Sequence, residues 1–304
     1  IRLCVFPFIG ARSISFGVIF VSSLLATLIQ GKANRIHLGF AIFFSLWFMV
    51  ASSGHIWRAL PDGPRQVDVI VVQPNLAEKE KLNTANYVHH MDYYTKLIRK
   101  IQETERDWDV LILPESLIGD LGEDALSSRF RTLGLAQNQL LIFGQLIKRS
   151  GNIYNAVCFF KNGVIGNVYL KHKLVPYSES IPPLFNILAK AHVHYFSAGP
   201  VPKPIRIDGV RYGTTICFES MFPSLYSCLK DSDILIVATN DAWFDRHFQE
   251  LHLRSAIFRA AERRKPLLLA NNTGISAVIS SEGHVDQWLP SDKAGYIRTK
   301  LNIK

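Results

Sequence analysis

The 304-residue sequence predicts an α/β fold preceded by two transmembrane helices. Short apolar segments rich in β-branched residues alternate with segments of helical period, which is the pattern of an α/β protein. Several of the short segments are apolar throughout, as expected of sheets whose faces are covered by helices. The membrane part is predicted because the first 53 residues contain no Asp or Glu.

Two apolar runs at the start of the chain cover residues 14–29 and 38–52, and a polar turn joins them. Both are slightly shorter than the ~20 apolar residues that a spanning helix needs. The alternative is a hairpin buried in a protein core. The chain does not begin with Met, so we expect a fragment or a processed product that could lack further spans upstream.

A linker is predicted over residues 56–66, which contain two prolines and a glycine. It divides the chain into a membrane segment over residues 1–55 and one α/β domain over 67–304. An Asp208-Gly209 turn predicts a hairpin within this domain. The two strands of this hairpin are predicted over 205–207 and 212–216. Apolar runs predict the other strands over 68–73, 109–113, 140–144, 153–160, 233–238, 267–270 and 276–279.

Helices are predicted over residues 83–103, 130–138 and 252–264. The first has the clearest pattern, because its apolar residues recur at intervals of three and four and so share one face. These residues are Tyr87, Met91, Tyr94, Ile98 and Ile101.

Charge and composition exclude several classes of protein. The formal net charge is +9, and four basic residues of the apolar front account for part of it, which leaves +5 for residues 54–304. Without a concentrated basic stripe, we expect no nucleic-acid partner. Four cysteines are too few for a disulfide scaffold. His192 and His194 lack a third ligand, so we expect no metal.

Three strand ends each carry one reactive residue: Glu115, Lys171 and Cys217. Each alone is weak, since a Glu after a strand is usually a solvated strand end and a lone Cys after an apolar run is usually a small core residue. Together they fit one chemistry, in which a thiolate attacks an acyl carbon, a carboxylate moves protons and an ammonium faces the oxyanion. The ammonium is also expected to lower the pKa of the thiol.

Six segments stand in this order along the chain: VVQPNLAEKEK (71–81), LILPES (111–116), YLKHKLVPYSESIP (169–182), GTTICFES (213–220), NDAWF (240–244) and RAAERRKPLLLANNTGISAVI (259–279). Together they resemble the nitrilase superfamily, which uses a Glu-Lys-Cys triad. NDAWF and NNTGIS favour, within it, the branch of the apolipoprotein N-acyltransferases of bacterial membranes.

The resemblance implies a nitrilase-like αββα sandwich and assigns a role to each residue of the triad. Glu115 matches the general base, Lys171 the lysine that stabilises the oxyanion, and Cys217 the nucleophile. Glu179 matches a second essential glutamate. Glu219 matches the glutamate two residues after the nucleophile, which is expected to hold the lysine, orient the substrate amine or form an ordinary salt bridge.

The sequence also departs from the family pattern near the site. Ser178 and Asp245 replace two glycines, and Leu251-His252 replaces a Gln-His pair. Because glycines often mark special backbone angles, the loops that cover the site are expected to differ. Trp243 and Phe244 are candidates for lining an acyl pocket, with a core position as the alternative.

The implied reaction moves a fatty acyl chain from a phospholipid to Cys217 and then to the N-terminal diacylglyceryl-cysteine of a lipoprotein. It needs no metal or cofactor. The implied location is the bacterial cytoplasmic (inner) membrane, with the catalytic domain on the periplasmic side. The alternatives are a membrane-tethered nitrilase-type amidase, in which water resolves the acyl-enzyme, and a divergent relative that acts in conjugal transfer.

Overall fold

Two six-stranded sheets pack face to face in the computed structural model, which describes residues 6–31, 35–52, 65–77, 87–117, 122–180 and 196–303. The helices are α1 Phe6–Ile29, α2 Arg35–Ser52, α3 Tyr87–Thr104, α4 Glu123–Arg131, α5 Pro223–Cys228 and α6 Arg246–Arg263. The strands are β1 Arg65–Gln73, β2 Val110–Ile112, β3 Leu140–Arg149, β4 Asn152–Lys161, β5 Val164–Leu170, β6 Ile205–Ile207, β7 Val210–Ile216, β8 Ile234–Thr239, β9 Leu267–Asn271, β10 Ser276–Ile279, β11 Val285–Leu289 and β12 Gly295–Ile303.

The two sheets have the same plan. The first has the order β12-β1-β2-β3-β4-β5 and the second the order β11-β10-β9-β8-β7-β6. In each, three central strands are parallel: β1, β2 and β3 in the first sheet, and β7, β8 and β9 in the second. The carboxyl ends of parallel strands meet at one edge of a sheet, which is where ligand sites of open α/β sheets lie.

Strand β1 explains why the sheets stack. Alternate side chains of a strand point to opposite faces, and both faces of β1 are buried. Val69 and Val71 join the core between the two sheets, whereas Ile70 and Val72 pack beneath helices α3 and α4. The result is the predicted αββα sandwich, although the residue pattern alone predicted helices, and not a second sheet, over the inner faces.

The helices form the outer layers. The predicted apolar face of α3 is confirmed, since Met91, Tyr94, Ile98 and Ile101 are buried against the first sheet. Helices α5 and α6 cover the second sheet in the same way.

The helix predicted over 130–138 is wrong in position, because α4 covers Glu123–Arg131 and turns follow it. Acidic residues in its first turn and basic residues in its last complement the helix dipole. Helix α6 begins earlier than predicted because the Asp245 side chain accepts a hydrogen bond from the backbone N–H of Phe248 (2.9 Å) and caps it. Strands β11 and β12 were not predicted, and β5 was predicted only by its end before Lys171.

The N-terminal helices α1 and α2 form where two membrane spans were predicted. The prediction of helices is confirmed there, but the prediction that they span a membrane is not. Within the described ranges, no helix combines the length and the apolarity needed to cross a membrane. The predicted linker lies outside the described residues except for Arg65 and Gln66, which start β1, and His192 and His194 also lie outside them.

Candidate active site

The three predicted residues follow strand ends as expected and meet at one edge of the sandwich. Glu115 lies three residues after β2, Lys171 directly after β5, and Cys217 directly after β7. The Lys171 Nζ lies 3.7 Å from the Glu115 Oε1. The charges of both residues shift the pKa of the Cys217 thiol. The site therefore combines residues from both sheets.

Gly144 of β3 lets the Glu115 segment approach that strand. The Gly144 N–H donates to the carbonyl of Pro114 (2.9 Å), and the Gly144 carbonyl accepts from the Leu117 N–H (2.9 Å). A Cβ at this position would lie 2.4 Å from the Cα of Glu115. A side chain here would therefore displace the backbone that carries Glu115.

A buried polar cluster surrounds the ammonium of Lys171. The Lys171 Nζ donates to the Glu179 Oε1 at 2.7 Å. The Asn155 Nδ2 donates to Glu115 at 2.6 Å and to Glu179 at 3.3 Å, and so bridges the two carboxylates. The Asn240 backbone N–H, from the second sheet, donates to the other Glu115 oxygen at 3.0 Å. Since Lys171 is only 1% exposed, these carboxylates supply the counter-charge that water cannot.

Burial and neighbouring charges shift the pKa values of Glu115 and Lys171. Burial raises the pKa of Glu115, and the Glu179 charge adds to this, while Lys171 opposes it. A carboxyl group with a raised pKa is a better proton acceptor. Burial alone would lower the pKa of Lys171, but the charges of Glu115 and Glu179 and the hydrogen bond to Glu179 raise it overall, so the ammonium persists.

Glu179 is fixed by its own loop. Its second oxygen accepts a hydrogen bond from the Val175 backbone N–H at 2.9 Å. The left-handed residue of this loop is Tyr177 (φ 65°) and not Ser178, which replaces a family glycine. Asp245, which replaces the other glycine, has φ −67°. Neither substitution therefore leaves a strained backbone at its own position.

Cys217 lies in a strained strand-to-helix turn. Its φ is 49°, and a 3-10 helix, Cys217–Met221, starts at this residue. The expectation of a lowered thiol pKa is wrong for this state. Burial raises the pKa of Cys217 and Glu115 adds to the rise, whereas Lys171 opposes it without prevailing. The resting group is a thiol, and a base must remove its proton before it attacks.

Among the described residues, Glu219 neither bonds to Lys171 nor forms a salt bridge. Its carboxylate accepts from the Tyr169 hydroxyl (2.8 and 2.7 Å) and from three backbone N–H groups. Those groups belong to His172 (2.8 Å), Lys173 (2.9 Å) and Ile216 (2.8 Å). Glu219 thus ties the segment after Lys171 to the strand end that carries Cys217.

Trp243 and Phe244 do not lie in the core. Trp243 is 64% exposed and Phe244 is 38% exposed. The Phe244 ring stacks on Phe248 at 4.0 Å between centroids. Both residues closely follow Asn240 in the chain, and the Asn240 N–H contacts Glu115.

Sequence reasoning missed Asn155 and Asn240, which hold Glu115. Asn240 stands in the NDAWF segment, and that motif was the available signal. Asn155 carried no local signal, because its partners lie 40 and 24 residues away in the chain. No set of three or more His, Cys, Asp or Glu side chains in the described part of the chain could hold a metal ion.

Comparison with known proteins identifies the family of the chain. Residues 71–302 match the carbon-nitrogen hydrolase family. The chain is 29% identical over 319 residues to the apolipoprotein N-acyltransferase of Haemophilus ducreyi, and 32% identical over 228 residues to that of Aquifex aeolicus. These alignments cover 97% and 71% of this chain, but only 61% and 50% of the two relatives.

A solved structure extends the comparison to the fold. A Saccharomyces cerevisiae member of branch 10 of the nitrilase superfamily has a TM-score of 0.61 at 17% identity, over 81% of this chain and 92% of its own. The nitrilase-like fold that the sequence predicted is therefore confirmed.

Gly144→Ala tests the close approach of β3 to Glu115. Because the new Cβ would meet backbone atoms, we expect the free energy of unfolding to fall by about 1–3 kcal/mol. Urea denaturation of the full chain measures this. Gly166→Ala in β5 is the matched control, since nothing lies within 4 Å of its added Cβ. Equal free energies of unfolding for the two variants would contradict the packing described.

Glu219→Gln tests the tie between the two strand ends. The amide NH₂ would face backbone N–H donors, so we expect a loss of about 1–3 kcal/mol in the free energy of unfolding. Glu250→Gln is the control, because its side chain is 47% exposed and its contact with Arg254 is a surface pair. Indistinguishable urea midpoints for wild type and Glu219→Gln would argue against a structural tie.

Proposed function

The chain belongs to the carbon-nitrogen hydrolase family, and from this premise we propose that it is a membrane-bound N-acyltransferase acting through a thioester on Cys217. The observation that carries the proposal is the buried cluster of Glu115 and Lys171, which lie 3.7 Å apart and whose charges act on the pKa of the Cys217 thiol. In this cluster the pKa of Glu115 is raised and Lys171 remains an ammonium. This combination suits nucleophilic acyl transfer.

In the first half-reaction Glu115 is the general base. It takes the proton from the Cys217 sulfur, which attacks the ester carbonyl of a phospholipid. The Lys171 ammonium faces the oxyanion that develops, and its buried position strengthens this interaction. Glu115 then returns the proton to the leaving oxygen, so that a lysophospholipid departs and a thioester remains.

In the second half-reaction an amine, and not water, attacks the thioester. Glu115 removes a proton from the attacking amine, Lys171 again faces the oxyanion, and the Cys217 sulfur leaves and recovers a proton from Glu115. The products are an amide and the original thiol. Glu179 and Asn155 support both steps by holding Lys171 and Glu115.

The proposed substrates follow from the relatives. Because two similar proteins are named apolipoprotein N-acyltransferase, we assign a lipoprotein N-terminus, the diacylglyceryl-cysteine, as the acceptor and a phospholipid as the acyl donor. Trp243 and Phe244 offer apolar surface for the acyl chain.

The proposed setting is the bacterial inner membrane. Ile19 and Ile29 of α1 and Ile36 and Phe43 of α2 expose large apolar side chains, and contiguous exposed apolar surface is typical of membrane or protein contacts. We assign residues 1–55 to the membrane segment, and residues 67–304, after the linker, to a catalytic domain on the periplasmic side.

A fatty-acyl adduct on Cys217 is the expected result when the full chain is incubated in phospholipid bilayers and its peptides are analysed by mass spectrometry. The adduct should be removed by hydroxylamine, absent in Cys217→Ala and retained in Cys228→Ala. Because Glu115 is the proposed base, Glu115→Gln should slow adduct formation by about 10²–10⁴-fold.

The acceptor is tested by adding a diacylglyceryl-cysteine peptide to the loaded protein. N-acyl peptide should appear as the adduct disappears. Release of free fatty acid without N-acyl peptide would instead identify a water-dependent, amidase-type enzyme. An unmodified Cys217 in demonstrably folded protein would overturn the acyltransferase proposal.

A further inference from the structure

A buried aspartate–histidine pair contacts the backbone of Cys217. His252 of α6 is 1% exposed, and its Nδ1 lies 3.0 and 3.1 Å from the carboxylate oxygens of Asp241. Its Nε2 lies 3.1 Å from the Cys217 carbonyl oxygen. The pair therefore links α6 and the end of β8 to the residue that carries the thiol.

The geometry specifies the protonation state of His252. Both ring nitrogens face oxygen acceptors, and an imidazole can donate to both only when each nitrogen carries a hydrogen. Burial lowers the pKa of His252, but the charge of Asp241 and the hydrogen bonds to Asp241 and to the Cys217 carbonyl raise it overall. The ring is thus an imidazolium.

Asp241 is itself held in place. Its carboxylate accepts from the Thr239 hydroxyl at 2.9 Å and from the Asn271 Nδ2 at 2.6 Å. Its backbone N–H donates to the Asn271 Oδ1 at 3.1 Å. Burial raises the pKa of Asp241, yet His252, Asn271 and Thr239 lower it overall, so the carboxylate is ionised. The position of His252 is consequently fixed by strands β8 and β9.

Cys217 needs such a support because its backbone is in the left-handed region. Residues with side chains rarely adopt this conformation, and it persists only where the surroundings hold it. Glu219 holds the Ile216 N–H on one side of the turn. On the other side, His252 holds the Cys217 carbonyl. Rotation of this carbonyl would swing the Cα–Cβ bond and move the sulfur.

We propose that protonated His252, held by Asp241, is a positioning residue that fixes the Cys217 carbonyl and so aims the sulfur at the acyl group. The inference rests on the proposed role of Cys217 as nucleophile. His252 touches no reacting atom and acts only through the backbone. Its loss should therefore slow the first half-reaction without changing the affinity for phospholipid.

Two near-isosteric variants separate the bonds that His252 makes. His252→Gln places an amide N–H near the position of Nε2 and keeps the donor to Cys217, whereas His252→Asn places it near Nδ1 and keeps only the donor to Asp241. Rates of iodoacetamide alkylation and of thioester formation are measured on the Cys217 peptide by mass spectrometry, over a range of phospholipid concentrations. The rate reports positioning, and the final amplitude reports the folded fraction.

We expect His252→Asn to slow both reactions by about tenfold or more, as for a lost hydrogen bond to a charged group. His252→Gln should stay within about threefold of wild type, on the same reasoning. The half-saturating phospholipid concentration should not change. Asp241→Asn should resemble His252→Asn, because a neutral His252 that donates to the introduced amide oxygen presents a lone pair to the Cys217 carbonyl. His247→Gln, at an exposed position of α6, is the control.

Each outcome bears on one proposal. Equal alkylation rates in wild type, His252→Asn and Asp241→Asn would overturn the positioning role. Equal slowing in His252→Gln and His252→Asn would also overturn it, since a merely structural residue gives that result. Alkylation that follows the expected order, in a wild type that forms no thioester, would overturn the proposed function and leave the positioning role standing.

Discussion

The charge of Lys171 is the constraint on which the rest of the site depends. An ammonium that is 1% exposed must be balanced inside the protein, since removing it from water is costly. Glu115 and Glu179 balance it, but each carboxylate then needs hydrogen-bond donors of its own. Asn155, the Asn240 backbone and the Val175 backbone supply them. One buried charge therefore fixes the positions of a strand residue and two loops.

The same constraint explains why the site needs both sheets. The first sheet supplies Lys171, Glu115 and Asn155. A site built from this sheet alone would contain the ammonium of Lys171 but no nucleophile. The second sheet contributes Cys217 and the Asn240 N–H that reaches Glu115. Glu219 connects the two sheets by bonding to backbone groups on both sides. The hydrophobic core between the two sheets holds these strand ends beside one another.

Much of this arrangement could be predicted from the sequence, because it depends on strand ends. Glu115, Lys171 and Cys217 follow buried apolar runs, and the segments around them carry the family resemblance. The partners of Asn155 could not be predicted, since they are distant in the chain. The thiol pKa was predicted in the wrong direction because one nearby cation was considered without the burial and the carboxylate that outweigh it. Strand β11 was missed because its three central residues are exposed.

The charge state of Lys171 tests this account most directly. In protein labelled with ¹⁵N-lysine, the Nζ signal can be assigned by its absence in Lys171→Gln. While the protein remains folded, the signal should stay that of an ammonium as the pH rises through 10.5, the ordinary lysine pKa. Glu179→Gln should lower the pH at which it titrates. A Lys171 signal that titrates below 10.5 in the wild type would contradict the account, because the two carboxylates would then not hold the charge on which the site depends.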